Sequence, residues 1–434
     1  MKLARTGSHI VAWRAGQKVA GALTVVAVAQ GLGPEGNGRY SLTLMVATVL
    51  AAVLSAGVGL ASVPLLRRGK PRPGRILAAQ AVWIALAMVI VAVLAAAAWA
   101  GPLRGWLTGA LTWDPGLLVA AVAVVLALLV FETANYDLLA AGEVVVGTRV
   151  GSLRALAHLA GVGVLLALAR LDLTLAVWSL AAVHVAAAAV MAMRARRAWR
   201  QRPGDGAGDD AAHPPMAGLA LRLARLGWLG QLSAIGYLLL LRLDQFIIES
   251  YLGVAAVGVY ALAAWGAELL WLLPEALNPL LVHTSSDHAD TGRDHTAARA
   301  VRLGLGATAV AAVPLALAAP PLLGLLRGGA FAGVAGPLWA LLPGVVAFAP
   351  GAVLAGDFIG RGRPHWNTQA SGITLVINVA LCVAWIPRWG VVGAAWASSV
   401  AYAAGAAVMV LRFRQVSGLP WADILVPRWS DLRR

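Results

Sequence analysis

The chain has 434 residues, 60% of them hydrophobic and only 12% charged, with a mean hydropathy of +0.79. A soluble domain carries about 25% charged residues to cover its surface, so this composition excludes one and points to lipid as the solvent. The formal charge of +15 is spread over short segments between long apolar runs, which excludes a nucleic-acid-binding face and follows the membrane-orientation pattern instead. The single cysteine, Cys382, rules out an internal disulfide or a cysteine metal cluster.

A bilayer core of about 30 Å is crossed by about 20 apolar helical residues. The sequence predicts twelve such helices, at 8–31, 40–66, 75–100, 115–140, 147–169, 173–193, 227–250, 254–282, 299–323, 334–359, 366–386 and 390–413. The first carries Arg14, Gln17 and Lys18 on one face, being three and four apart. That polarity makes it a retained span rather than a cleaved signal. Lys18 lies about 15 Å along the helix, near the bilayer midplane. The stretch LGPEGNGRYSL (Leu32–Leu42) then reads as a tight outer hairpin. Leu-Gly ends the first helix, and Tyr40 opens the second at the outer interface.

The fourth span contains Glu132, with Asn135 and Tyr136 close by, and Asp137 near its inner end. The fifth places Arg154 and His158 on one face. After six spans comes a basic, then Gly/Asp/Pro-rich segment, 194–216, read as a cytoplasmic linker. Span seven contains LRLDQF, so Arg242 and Asp244 lie inside a helix and, two apart, point in different directions. Span eight opens on LGVAAVGVYAL (Leu252–Leu262) and carries Glu268 ahead of Pro274 and Pro279. Span ten carries Asp357 near its inner end. The tail, 415–434, with Trp421 and Trp429, is expected to lie loose or at the interface.

With the N-terminus inside, twenty-five basic residues fall on the inner side and five outside, leaving Arg14, Lys18, Arg154 and Arg242 within spans. That asymmetry supports an even number of spans and two cytoplasmic termini. Only Lys2, Lys18 and Lys70 among the 34 basic residues are lysine, a bias that fits a bacterial, GC-rich source and hence the cytoplasmic membrane.

Both Leu-Gly stretches fit L-G-x-x-x-x-G-x-Y-x-L, at an offset of 220. The same shift lays Lys2 on Arg222, Asp137 on Asp357, Gly142 on Gly362, Ala22 on Arg242 and Thr24 on Asp244. The organisation follows: a six-helix bundle at 1–193, the linker, a second bundle at 217–414 and the tail. Bundles of even span number share one orientation, and a two-fold along the membrane normal would relate them. The cleft between such bundles opens to each side in turn as they rock, which is the design of a transporter.

Charges inside spans mark pathways. Arg14, Gln17, Lys18, Arg154, His158 and Arg242 are candidates for lining a cationic cavity. Glu132, Asp137, Asp244 and Glu268 are candidates for proton or cation coupling. Each also has a structural reading, as an ion pair, a cap or a helix contact. Metal-ligand spacing, nucleotide loops and nucleophile constellations do not occur, so neither an enzyme nor a bound cofactor is expected.

Taken together, LGPEGNGRYSL, LDQFIIESYLGVAAVGVYAL, the GRGRP after span ten and IPRWGVVGAAWASSVAY resemble the polysaccharide and oligosaccharide flippases of the MOP exporter superfamily. The resemblance runs from Leu3 to Arg414. It implies an all-α polytopic membrane protein of MATE-like MOP fold with two six-helix bundles around a cavity. It also implies transfer of an undecaprenyl-pyrophosphate-linked oligosaccharide between leaflets by a monomer, with membrane lipids, a polysaccharide polymerase and glycosyltransferases as partners. Arg14, Lys18 and Arg242 are the positions that fit the cationic lining such a cargo needs. A proton- or sodium-coupled drug or metabolite antiporter of the same superfamily is the alternative.

Overall fold

The computed structural model describes residues 2–68, 72–100, 114–200, 215–286 and 292–432. Among the described residues every regular element is helical. The elements are α1 (Lys2–Ser55), α2 (Val58–Arg68), α3 (Pro73–Ala100), α4 (Pro115–Ala140), α5 (Val144–Ala167), α6 (Leu173–Arg200), α7 (Met216–Leu252), α8 (Val254–Glu268), α9 (Leu272–Ser286), α10 (Arg293–Gly324), α11 (Ala335–Gly360), α12 (His365–Ser417) and α13 (Trp421–Leu425).

Ten of the described helices are long and apolar enough to cross a membrane, and the chain is a multi-pass membrane protein. α1 and α12 are each broken once, at Gly33 (φ 73°) and Gly390 (φ 59°). Divided there, the ten become twelve segments, in keeping with the twelve spans expected. Side chains such as Val310, Leu317 and Leu229, each more than 70% exposed, suit a surface solvated by hydrocarbon.

Several expected boundaries are corrected. The first two spans are not 8–31 and 40–66: helix runs from Lys2 to Gly33 and resumes at once at Pro34. No open hairpin separates them. Gly33 turns the chain in a region that glycine enters without strain, and Pro34 starts the next helix with a nitrogen that has no proton to satisfy. Arg327 closes the first segment. Its backbone N–H donates to Gln30 Oε1 at 2.8 Å and its guanidinium to Gly31 O, a cation at a helix C-terminus. Span eight is not continuous over 254–282 but tightens into a 3-10 turn at Leu269–Trp271. Pro274 explains this, because it cannot bond to the carbonyl four residues back, Leu270. α6 continues to Arg200, into the segment read as linker, and 201–214 lie outside the described residues.

The 220-residue repeat recurs as conformation. Gly33 and Gly253 share one unusual backbone geometry, φ/ψ 73°/−175° and 81°/175°. Behind α4, Gly142 (φ 88°) follows Ala141, whose N–H bonds Asp137 O, while Glu143 N bonds Leu138 O. Behind α11, Gly362 (φ 72°) follows Arg361, whose N–H bonds Asp357 O, while Arg363 N bonds Phe358 O. Both are the same glycine-terminated helix end, one at each repeat position.

The chain forms two compact units, Met1–Ala27 with Arg39–Leu238, and Val28–Gly38 with Leu239–Arg434. In the first, α4 is central and packs on α6, α2, α3 and α5; in the second, α11 packs on α12, α9, α10 and α8. The tail is not loose. Ile424 is fully buried with Leu281, Ala297 and Phe413. Arg302 on α10 holds Asp431 through two bonds of 2.6 and 2.7 Å, and Arg299 donates to Asp431 O at 2.5 Å. A five-residue helix anchored by partners some 130 residues away leaves no periodic signal to read.

Candidate functional site

In the first unit, α1 and α5 form a polar seam. Ser152 Oγ donates to Trp13 O at 2.5 Å, and a side chain at Gly151 would come 3.2 Å from the Gln17 amide oxygen. Glycine at 151 thus lets the Gln17 face of α1 approach. Arg14 on that face is exposed, and Gln17 and Lys18 are half-buried. One turn beyond Gly151, Arg154 lies 4.8 Å over the Phe131 ring and is in electrostatic contact with Glu132. Its Nη1 is buried without a hydrogen-bond partner among the described residues. One turn further, His158 Nε2 meets Tyr40 Oη at 2.8 Å and Nδ1 meets Ser179 Oγ at 3.3 Å. Five candidates, Arg14, Gln17, Lys18, Arg154 and His158, are therefore on two adjoining helices, with Glu132 beside them. Asp137 is elsewhere, at the α4 end, where Gln80 Nε2 donates to it at 2.8 Å and also to Ser62 at 2.9 Å.

In the second unit, Arg242 and Glu268 face each other in a fork-to-fork pair of 2.7 and 3.0 Å. Both are largely buried, at 14% and 15% side-chain exposure, and Arg242 also lies 4.9 Å over Trp265. Paired so, neither is an uncompensated charge. Asp244 points away, as two residues on a helix must. It is 1% exposed, and its carboxylate accepts from Tyr260 Oη, from Ser398 Oγ at 3.3 Å and from Gln245 N at 2.8 Å. Asn378 Nδ2 donates to Ser398 Oγ at 3.0 Å. The cluster offers a carboxylate, two hydroxyls and an amide, hard oxygen donors suited to a proton or an alkali cation rather than a transition metal. Among the described residues no three His, Cys, Asp or Glu side chains gather as a metal site.

Tyr40 and Tyr260, expected at the outer interface, do not present their rings to a surface. They are 3% and 1% exposed and hydrogen-bonded in the interior. Sequence reading missed their partners, Ser179, Asn378 and Ser398, although the repeat pointed to them. Tyr40, His158 and Ser179 lie 220, 220 and 219 residues before Tyr260, Asn378 and Ser398. The two polar clusters are copies. They differ where Asn378 stands at the position of His158 and where Asp244 replaces Thr24, whose hydroxyl is spent on Ala20 O at 2.8 Å.

The fold and these two clusters define an all-helical, multi-pass membrane protein with polar groups held at span depth. Its architecture is shared with solved transporters. It superposes on a lipid II flippase, MurJ, in an inward closed conformation with TM-score 0.75 at 13% identity, covering 94% of this chain and 87% of that one. An inward-facing multidrug resistance MATE family transporter of the MOP superfamily gives 0.68 at 14% identity, with coverage of 93% and 94%. A MOP superfamily transporter from Pyrococcus furiosus, described as having a binding pocket of reversed polarity, gives 0.55 at 15%, with coverage of 96% and 95%. No protein-family model and no curated protein matches the chain. At such identities the likeness fixes the fold and leaves the cargo to the chemistry of the site.

Proposed function

We propose that the chain is a MOP-superfamily flippase of the bacterial cytoplasmic membrane, with both termini inside. Its cargo is an undecaprenyl-pyrophosphate-linked oligosaccharide, moved from the inner to the outer leaflet by alternating access for surface polysaccharide synthesis. The observation that carries this reading is Arg154. Among the described residues its buried Nη1 has no acceptor, and an unmet buried donor costs about 1–3 kcal/mol. An anionic ligand would supply the acceptor, and Arg14 and Lys18 on the adjoining helix add cationic charge for a pyrophosphate. Gln17, between them, offers an amide to sugar hydroxyls. Asp244 is the coupling group in this reading, taking up a proton or sodium ion from one side of the membrane and releasing it to the other, with the Tyr260 and Ser398 hydroxyls beside it.

The same Asp244 cluster also favours a cation-coupled antiporter for drugs or metabolites, because a buried carboxylate is what such a carrier needs. A deletion strain separates the two. The flippase reading expects loss of surface polysaccharide and lipid-linked units accumulating on the cytoplasmic face. Normal glycan with raised drug sensitivity would reject it. Arg14→Ala, Lys18→Ala and Arg154→Ala should each fail to restore the glycan.

A further inference from the structure

We infer that the first unit carries a groove for the polyprenyl chain of a phosphate-bearing carrier lipid, where the end of α1 meets α3 and α7. The inference rests on the flippase reading and adds a second contact region to it. The groove has a volume of about 380 Å³ and is walled by carbon from Leu54, Trp83, Leu86, Ile90 and Trp228, with Arg225 its one charged lining group among the described residues. Trp83 spends its indole N–H on Leu54 O at 2.8 Å, so it offers no donor to the groove. From Trp83 to Ile90 the wall follows α3 for about 10 Å at the helical rise. Arg225 is exposed, and Arg222 stands one turn before it on α7, also exposed.

An elongated apolar slot with a guanidinium on its border complements a long hydrocarbon chain ending in phosphate. With Arg225 as its lining cation among the described residues, the slot fits a single chain on a single phosphate better than the paired chains of a phospholipid. The frame around the slot is fixed. Gly57 and Gly227 meet backbone to backbone with no room for a side chain, and Gln231 Nε2 bonds Ala52 O at 2.9 Å. These contacts hold α7 against the end of α1, so the groove is a standing feature of the unit.

The test is native mass spectrometry of the full chain in detergent, titrated with undecaprenyl phosphate or with dioleoyl phosphatidylglycerol. The wild type should retain undecaprenyl phosphate about tenfold more tightly than the phospholipid, and Ile90→Trp and Arg225→Ala should each remove about tenfold of that affinity. Thermal unfolding of each variant checks that it is folded. Variants that bind the carrier as the wild type does would place the chain elsewhere and overturn the groove, while the flippase reading stands on its deletion phenotype. Equal binding of the phospholipid, or no carrier binding at all, overturns the groove as well.

Discussion

Gly38 and Gly258 meet face to face. A side chain on Gly38 would strike the carbonyl of Val254 and the nitrogen of Gly258, and one on Gly258 would strike the carbonyl of Pro34 and the nitrogen of Gly38. The contact is reciprocal, because 34 and 254, like 38 and 258, are the same repeat position. Asn37 Nδ2 adds a bond of 2.8 Å to Gly258 O. Each copy of the Leu-Gly motif therefore keeps its second glycine so that the other copy's backbone can approach.

Valine at either glycine should force those backbones apart. Overpacking of this kind costs about 1–3 kcal/mol, and here the obstacle is backbone, which cannot rotate aside. Gly38→Val and Gly258→Val should lower the thermal midpoint by several degrees and stop transport. Gly236→Ala is the control, since among the described residues nothing lies within 4 Å of the added carbon. A midpoint unchanged in both valine variants would mean the crossing is not needed.

That contact also shows what could be read from sequence. Spans were legible because hydrocarbon thickness sets helix length, and α4 falls on its expected 115–140. The 220-residue offset was legible because identical turns need identical residues, as at Gly142 and Gly362. It also placed Arg242 and Asp244 inside a helix. The offset could not say that Gly38 touches Gly258, or that Tyr40 and Tyr260 turn inward. Those facts depend on which helices are neighbours, and a single sequence does not carry that. That Arg242, expected to line the cavity, pairs with Glu268 was not legible either, because the two are on different helices.

Asp244 and Tyr260 should set ion dependence. Asp244→Asn keeps the volume and the neighbours but removes the charge. In proteoliposomes it should abolish any stimulation of transport by a proton or sodium gradient, while the cargo still binds. Tyr260→Phe removes one donor to the carboxylate and should shift the ion concentration at half-stimulation without abolishing the response. Gradient-driven transport by Asp244→Asn at the wild-type rate would exclude Asp244 from coupling.

The pair Arg242–Glu268 distinguishes a structural ion pair from a ligand site. Removing one member of a largely buried pair leaves a naked charge and costs about 3–5 kcal/mol, while removing both costs much less. Arg242→Met and Glu268→Leu should each destabilise strongly, and the double variant should recover most of the loss in a thermal double-mutant cycle. Restored transport in the double variant would assign the pair to the scaffold. A stable double variant that fails to transport would return Arg242 to the site.

The tail offers a pH test outside the membrane-spanning segments. The hydrogen bonds from Arg302 hold the Asp431 carboxyl below the usual carboxylate range, helped by the Arg428 N–H and the charge of Arg302. An unfolded aspartate titrates near pH 3.9. A carboxylate with a depressed folded value contributes its stability above that point and loses it as pH falls through the folded value. Protection of 418–432 against hydrogen exchange, taken relative to the intrinsic rate at each pH, should therefore hold at pH 7 and pH 5 and be lost only below about pH 4. Asp431→Asn should release the tail at neutral pH, and Arg302→Ala should do the same. Full protection in Asp431→Asn at pH 7 would mean that Ile424 in the core, rather than the Arg302 pair, holds the tail in place.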